Sequence, residues 1–329
     1  MEPWSLATMV LCFGGGILSA SLGAILAFVI CGILVLGGCF VVLAGGSDFL
    51  LLQVGLGPLF GPHVGGFAAG VAASTYAAGV KKNHPTGAGK DVLAMLTDTS
   101  WDVLIVGGLF AVYGHIMLQL LSRIPVIKMF DCIALAVVIS NVTSRLLFQK
   151  ESPFGNRESI NQHGLLGTAN FSISWVPWMA PLSRSIPIGF GVGAFSVALA
   201  IGTKSYLAPL AEAGTISVAA AFVVPLILAW TVGVLAFLPL LFGNSDSNIK
   251  TPIVHGMGII SALSYLLFGD AMSANAAIVM GAMVGVLYTL LQELMARLFY
   301  NHGSNHVDPP ACAIATGTLV LNSIKHLIG

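Results

Sequence analysis

Apolar runs almost free of charge recur along this chain at the length needed to cross a bilayer core, and no other feature limits its fold so tightly. The clearer ones are Asp102 to Leu121, Met129 to Phe148, Gly164 to Leu182, Ile186 to Ala200, Thr215 to Phe242, Pro252 to Phe268, Ala274 to Leu298 and Pro309 to Ile328, several of them at full crossing length. A hydrocarbon core takes about 20 helical residues per crossing. With 13 basic and 13 acidic residues in 329, the chain cannot cover a water-facing surface, which ordinarily draws on about a quarter charged residues. The mean hydropathy of +0.94 agrees. Backbone polar groups in lipid must be satisfied within a helix or a closed barrel. A barrel would alternate apolar and polar residues, whereas these runs are continuous. The expected class is an all-α polytopic integral membrane protein with about ten transmembrane or re-entrant segments.

The same composition excludes several functions. Balanced charge leaves no basic surface for nucleic acid. Cys12, Cys31, Cys39, Cys132 and Cys312 lack paired spacing and read as buried thiols, neither a zinc site nor a disulfide framework. Walker A, GxSxG and HExxH motifs are absent from the sequence. The N-terminal MEPWSLATMV lacks the basic region of a cleaved signal, so the first apolar segment is expected to stay as a membrane helix. No cofactor and no metal are expected. The expected surroundings are the bilayer, a small polar solute or ion, and further copies of the chain in a homo-oligomer. The location expected is a bacterial cytoplasmic membrane.

Along the chain, residues 1–150 read as a first membrane half, 151–163 as a polar connection and 164–329 as a second half. The first run, Ala7 to Ala44, exceeds one ordinary crossing and is either one long tilted helix or two short ones meeting near Gly37-Gly38. A run from His63 to Val80 follows, and another is expected from Gly164 to Leu182. Lys81, Lys82 and Lys90 mark a basic loop expected in the cytoplasm. Gly243 to Lys250 reads as a second polar loop. The stretch around Arg145 resembles that around Arg297, a spacing of 297 − 145 = 152. Five segments per half would make the halves inverted repeats, a plan common among transporters.

Polar residues at membrane depth are costly, so they direct the search for a site. Gly55 to Gly66 holds two prolines and several glycines, among them Gly57, Gly65 and Gly66, and cannot continue an ordinary helix. It is either a broken helix lining a substrate site or a tight turn outside the membrane. A second stretch, Asn301 to Pro310, holds His302, His306 and Asp308, with Asp308-Pro309 a helix start. If His63 and His306 face one cavity, they and Asp308 could bind a solute or carry protons; the alternative is that they sit at opposite membrane surfaces as solvated caps. His255, at another helix start, and His115, deep in an apolar run, are further candidates, the latter also read as bonded to a backbone carbonyl. Glu293 and Arg297 are spaced for an ion pair, and Asp98 and Asp102 for helix caps. The function expected is that of a transporter or channel, not an enzyme. The alternatives are a membrane subunit of a larger complex and an intramembrane enzyme using His302, His306 and Asp308.

Overall fold

A computed structural model describes residues 2–242 and 249–328. Most of the expected loop Gly243 to Lys250 therefore lies outside the described residues. The elements are α1 (Leu6–Leu22), α2 (Ala24–Leu43), α3 (Ala68–Tyr76), α4 (Trp101–Leu121), α5 (Cys132–Ser144), α6 (Arg157–His163), α7 (Leu182–Glu212), α8 (Val218–Leu235), α9 (His255–Phe268), α10 (Ala274–Met295) and α11 (Pro309–Ile328). No strand occurs among the described residues. With their terminal turns counted, α2, α4, α5, α7, α8, α10 and α11 are long and apolar enough to cross a membrane, and α1 is a shorter apolar helix.

The first apolar run breaks at Gly23 and not at Gly37-Gly38. Gly23 takes φ +82, a conformation open to glycine. The loop after α3 docks on the break: Ile25 N–H donates to Val92 O at 3.0 Å, Leu96 N–H to Ala20 O at 3.2 Å, and Thr97 Oγ1 to Ser21 O at 2.9 Å. A Cβ at Gly23 would lie 2.8 Å from Ala94 O. Gly38 serves packing instead, because a Cβ there would lie 2.6 Å from Leu51 N.

Residues 164–181 form turns where a helical run was expected. Gly164, Gly167, Pro177 and Pro181 interrupt the stretch, and Ala169, Asn170 and Phe171 adopt positive φ. The helix that follows starts earlier and ends later than its apolar core suggests, covering 31 residues.

Both halves pack their helices in the same pattern. α1 packs on α4 and α7 on α10; α4 packs on α5 and α10 on α11; α3 touches α1, α4 and α5 as α9 touches α7, α10 and α11. The first pairs approach through glycine. A Cβ at Gly107 would lie 2.7 Å from Gly16 O, and one at Gly285 would lie 3.0 Å from Gly193 Cα. Small residues let helices approach closely where lipid gives no hydrophobic drive to associate. α2 meets α8, and α5 meets α11, across the two halves. This order matches α4 with α10 and α5 with α11. The resemblance at a spacing of 152 would instead match α5 with α10, and its two arginines differ accordingly. Arg145 is fully buried, while Arg297 is partly exposed and paired with Glu293 at 2.8 Å.

Candidate functional site

The stretch from Leu56 to Phe67 is a chain of turns inside the protein. Its backbone bonds to itself, with Phe60 N–H donating to Val54 O at 3.0 Å, Gly66 N–H to Gly61 O at 2.9 Å and Ala68 N–H to Pro62 O at 3.0 Å. Residues 60–75 are all buried, so the backbone groups freed by the break are paired within the protein. The glycines serve close approach: a Cβ at Gly65 would lie 2.6 Å from Gly15 O, at Gly66 2.5 Å from Phe60 O, and at Gly57 2.5 Å from Gln53 O. They pack backbone on backbone and do not line the main cavity.

That cavity, about 380 Å³, is lined by the starts of four helices, three at one end and that of α5 at the other, where Asn322 near the end of α11 donates its Nδ2–H to Met129 O at 2.8 Å. Pro62 and Phe67 come from the start of α3, and Asp131 and Ile133 from that of α5. Ile253 and His255 mark the start of α9, and His306, Asp308 and Ala311 that of α11. The loop after α3 adds Lys90 and Asp91, the turns before α7 add Trp175 and Trp178, and α8 adds Trp230. A cavity of this size lies in the range of small-molecule sites, which are apolar with a few placed polar groups.

The polar groups are held from within their own elements. Asp131 Oδ1 accepts from Ala134 N–H at 2.8 Å, and Asp308 Oδ2 from Ala311 N–H at 2.8 Å, so each caps its helix. His306 Nε2 lies 3.3 Å from Asp308 Oδ1. Both His306 and His255 are buried, and the Nδ1 atom of each has no hydrogen-bond partner. Each imidazole sits among three rings. Phe28, Trp230 and Phe237 lie 5.3, 6.3 and 5.5 Å from His255; Phe67, Trp175 and Tyr300 lie 5.7, 6.3 and 5.1 Å from His306. Lys90 Nζ rests 4.4 Å above the Tyr300 ring and donates to Asn301 O at 3.0 Å. Burial, with repulsion from Arg145 added, lowers the Lys90 ammonium pKa to about 8.

His63 and His115 lie elsewhere. The expected meeting of His63 with His306 across one cavity does not occur, because Pro62 and Phe67 face the cavity and His63 does not line it. His63 is fully buried with neither ring nitrogen bonded, and its carbonyl abuts Gly114 of α4. His115 Nε2 donates to Pro3 O at 2.8 Å, the backbone bond weighed for it from the sequence. His302 is held at both nitrogens, Nδ1 by Ser159 Oγ at 2.9 Å and Nε2 by Leu165 O at 3.1 Å. Asp102 does not cap α4: it accepts from Tyr76 and pairs with Lys81, each at 3.0 Å. Among the described residues no three His, Cys, Asp or Glu side chains are grouped to hold a metal ion.

Sequence reading missed Asp131, Lys90 and the aromatic wall. Asp131 could have been found as the one charged residue inside the run Met129 to Phe148 apart from Arg145, at a place suited to a helix cap, where Asp308 was noticed through the prolines after it. Arg145 was seen only as part of a repeat. Its Nε donates to Asn305 Oδ1 at 2.6 Å, Nη1 to Phe299 O at 2.6 Å and Pro153 O at 2.8 Å, and Nη2 to Asn305 O at 3.1 Å. Gly303 covers the guanidinium so closely that a Cβ there would collide with it.

The chain belongs to DUF7973, a family of unknown function whose model matches it twice, over residues 1–172 and 168–329. No curated protein and no solved structure matches the chain.

Proposed function

We propose that this DUF7973 member is a permease of the cytoplasmic membrane, a transporter or channel whose small solute binds among His255, His306 and Asp308. The observation that carries this reading is the cavity itself. The starts of α3, α9 and α11 stand around one end of it inside a bundle of apolar helices, that of α5 lines its other end, and His255, His306 and Asp308 belong to its wall. Interrupted helices meeting between two halves are the transporter arrangement in which irregular backbone lines a binding site.

The finer architecture belongs to the same proposal. α1, α2, the broken segment with α3, α4 and α5 form one five-segment half; α7 to α11 form the other. The family's double match and the shared packing order support this pairing. An odd number of crossings per half makes the two halves run in opposite directions. Asp131 and Asp308 then hold equivalent places, each capping the fifth helix of its half at the cavity wall. A homo-oligomer remains part of the proposal.

Purified protein in proteoliposomes should take up at least one solute from a labelled panel of amines, amino acids and carboxylates. Asp308→Asn and His255→Leu should each slow that uptake tenfold or more. Vesicles no more permeable to the whole panel than protein-free vesicles would overturn the reading.

A further inference from the structure

We infer that the cavity accepts an amphipathic organic cation, an ammonium group carried on an aromatic or branched aliphatic body. The inference deepens the transporter reading, and rests on it in taking the bound molecule to be the one transported.

The wall sets the sign of the charge. At the end of the cavity by Tyr300 and His306, Asp91 and Asp308 stand against Lys90, so the carboxylates exceed the ammonium by 2 − 1 = 1. Lys90 is already engaged on the Tyr300 ring and with Asn301 O. The wall thus carries a tethered example of the contact proposed, an ammonium on an aromatic face. Further rings remain for a free cation: Phe28, Trp230 and Phe237 near His255, and Phe67 and Trp175 near His306. Aromatic faces attract cations most strongly where water is excluded.

The fixed carboxylate agrees with that sign. Asp308 Oδ1 lies 3.3 Å from His306 Nε2 and Oδ2 accepts from Ala311 N–H at 2.8 Å, which sets this carboxylate in place on the cavity wall. Of the four helix starts, those of α5 and α11 direct first-turn amides at their own aspartates. Those of α3 and α9 show Phe67 and His255 to the cavity.

The rest of the wall sets the body. Ile25, Val137, Ile227, Ile259 and Ile314 are among its apolar residues. A bare inorganic ion would give up its hydration shell against hydrocarbon and leave most of about 380 Å³ unfilled. A molecule with a ring or branched chain fills the space and keeps one charged end for Asp308.

Phenethylammonium and 3-phenylpropanoate are close in size and opposite in charge. Trp175, Trp178 and Trp230 line the cavity, so tryptophan fluorescence of the full chain in detergent reports binding directly. Phenethylammonium should bind saturably and at least tenfold more tightly than 3-phenylpropanoate. Asp308→Asn, which keeps an oxygen for the Ala311 N–H, should weaken it tenfold or more. Lys90→Met should strengthen it several-fold. Tighter binding of 3-phenylpropanoate, or saturable binding of neither probe, would overturn the inference. If Asp308→Asn fails to fold, the wild-type preference and the direction of the Lys90→Met effect decide. Proteoliposome flux separates the two readings. Phenethylammonium bound without being moved defeats the transporter reading alone, whereas 3-phenylpropanoate bound and moved in preference defeats only the cation.

Discussion

A buried imidazole nitrogen with no hydrogen bond raises the energy of the folded chain, and His63, His115, His255 and His306 each carry at least one. His255 and His306 stand on the cavity wall, with their open Nδ1 atoms turned into the protein. At His63 both open nitrogens are enclosed by protein. Replacing such a ring by an apolar side chain of similar size removes the unmet polar atoms without opening a large void. His63→Met should therefore leave phenethylammonium binding unchanged and be neutral or stabilising by up to about 1 kcal/mol. Thermal unfolding in detergent checks this, and a loss beyond about 2 kcal/mol would show that the imidazole has a stabilising role. Single residues were legible from sequence where a local rule marks them. Asp308 stands before two prolines, and His255 and His306 precede apolar runs. Lys90 and Trp175 were not, because their place on the wall depends on where long irregular stretches travel. No pattern of neighbours records that.

Three helices end in a widened π-turn, over Ala77–Lys81, Arg145–Gln149 and Ala296–Tyr300, and the polar groups near these ends interlock. Gln149 Nε2 donates to Thr75 O at 3.2 Å. Asn305 Nδ2 lies 3.1 Å from Asn141 O, 3.2 Å from Ser144 Oγ and 3.3 Å from Thr75 Oγ1, while its Oδ1 accepts from Arg145. A charge this deeply buried is tolerable because carbonyl dipoles surround it. Asn305→Leu would strand the Arg145 Nε–H and leave several acceptors unpaired, a loss of about 3 kcal/mol. A matching drop in unfolding midpoint is expected, and an unchanged midpoint would mean the network contributes nothing. At this scale the sequence was partly legible. Helix α11 and the broken stretch before α3 followed from Pro and Gly chemistry. The break at Gly23 did not, since a lone glycine in an apolar run carries a weaker signal than the Gly37-Gly38 pair. What decides between them is the loop that supplies partners for one and the side chain of Leu51 that fills the space beside the other.

At the scale of the whole molecule, an all-helical fold with seven helices long and apolar enough to cross a membrane among the described residues followed from charge scarcity alone. The pairing of halves was harder to see. A local likeness around Arg145 and Arg297 suggested one register, and packing order supports another, because apolar Gly- and Ala-rich segments resemble one another at many offsets. The break at Gly23 has a consequence in time as well as in space. The acceptors at Ala20 and Ser21 and the donor at Ile25 are met by Val92, Leu96 and Thr97, about seventy positions later in synthesis. The first two helices therefore leave the ribosome before the residues that complete them exist. During that interval their junction must stay in water, in the headgroup layer or against the insertion machinery. Nascent chains arrested with residues up to 80 exposed should crosslink to that machinery through a probe at Ser21, and chains exposed past residue 100 should not. Equal crosslinking at both lengths would show that the junction settles without its loop.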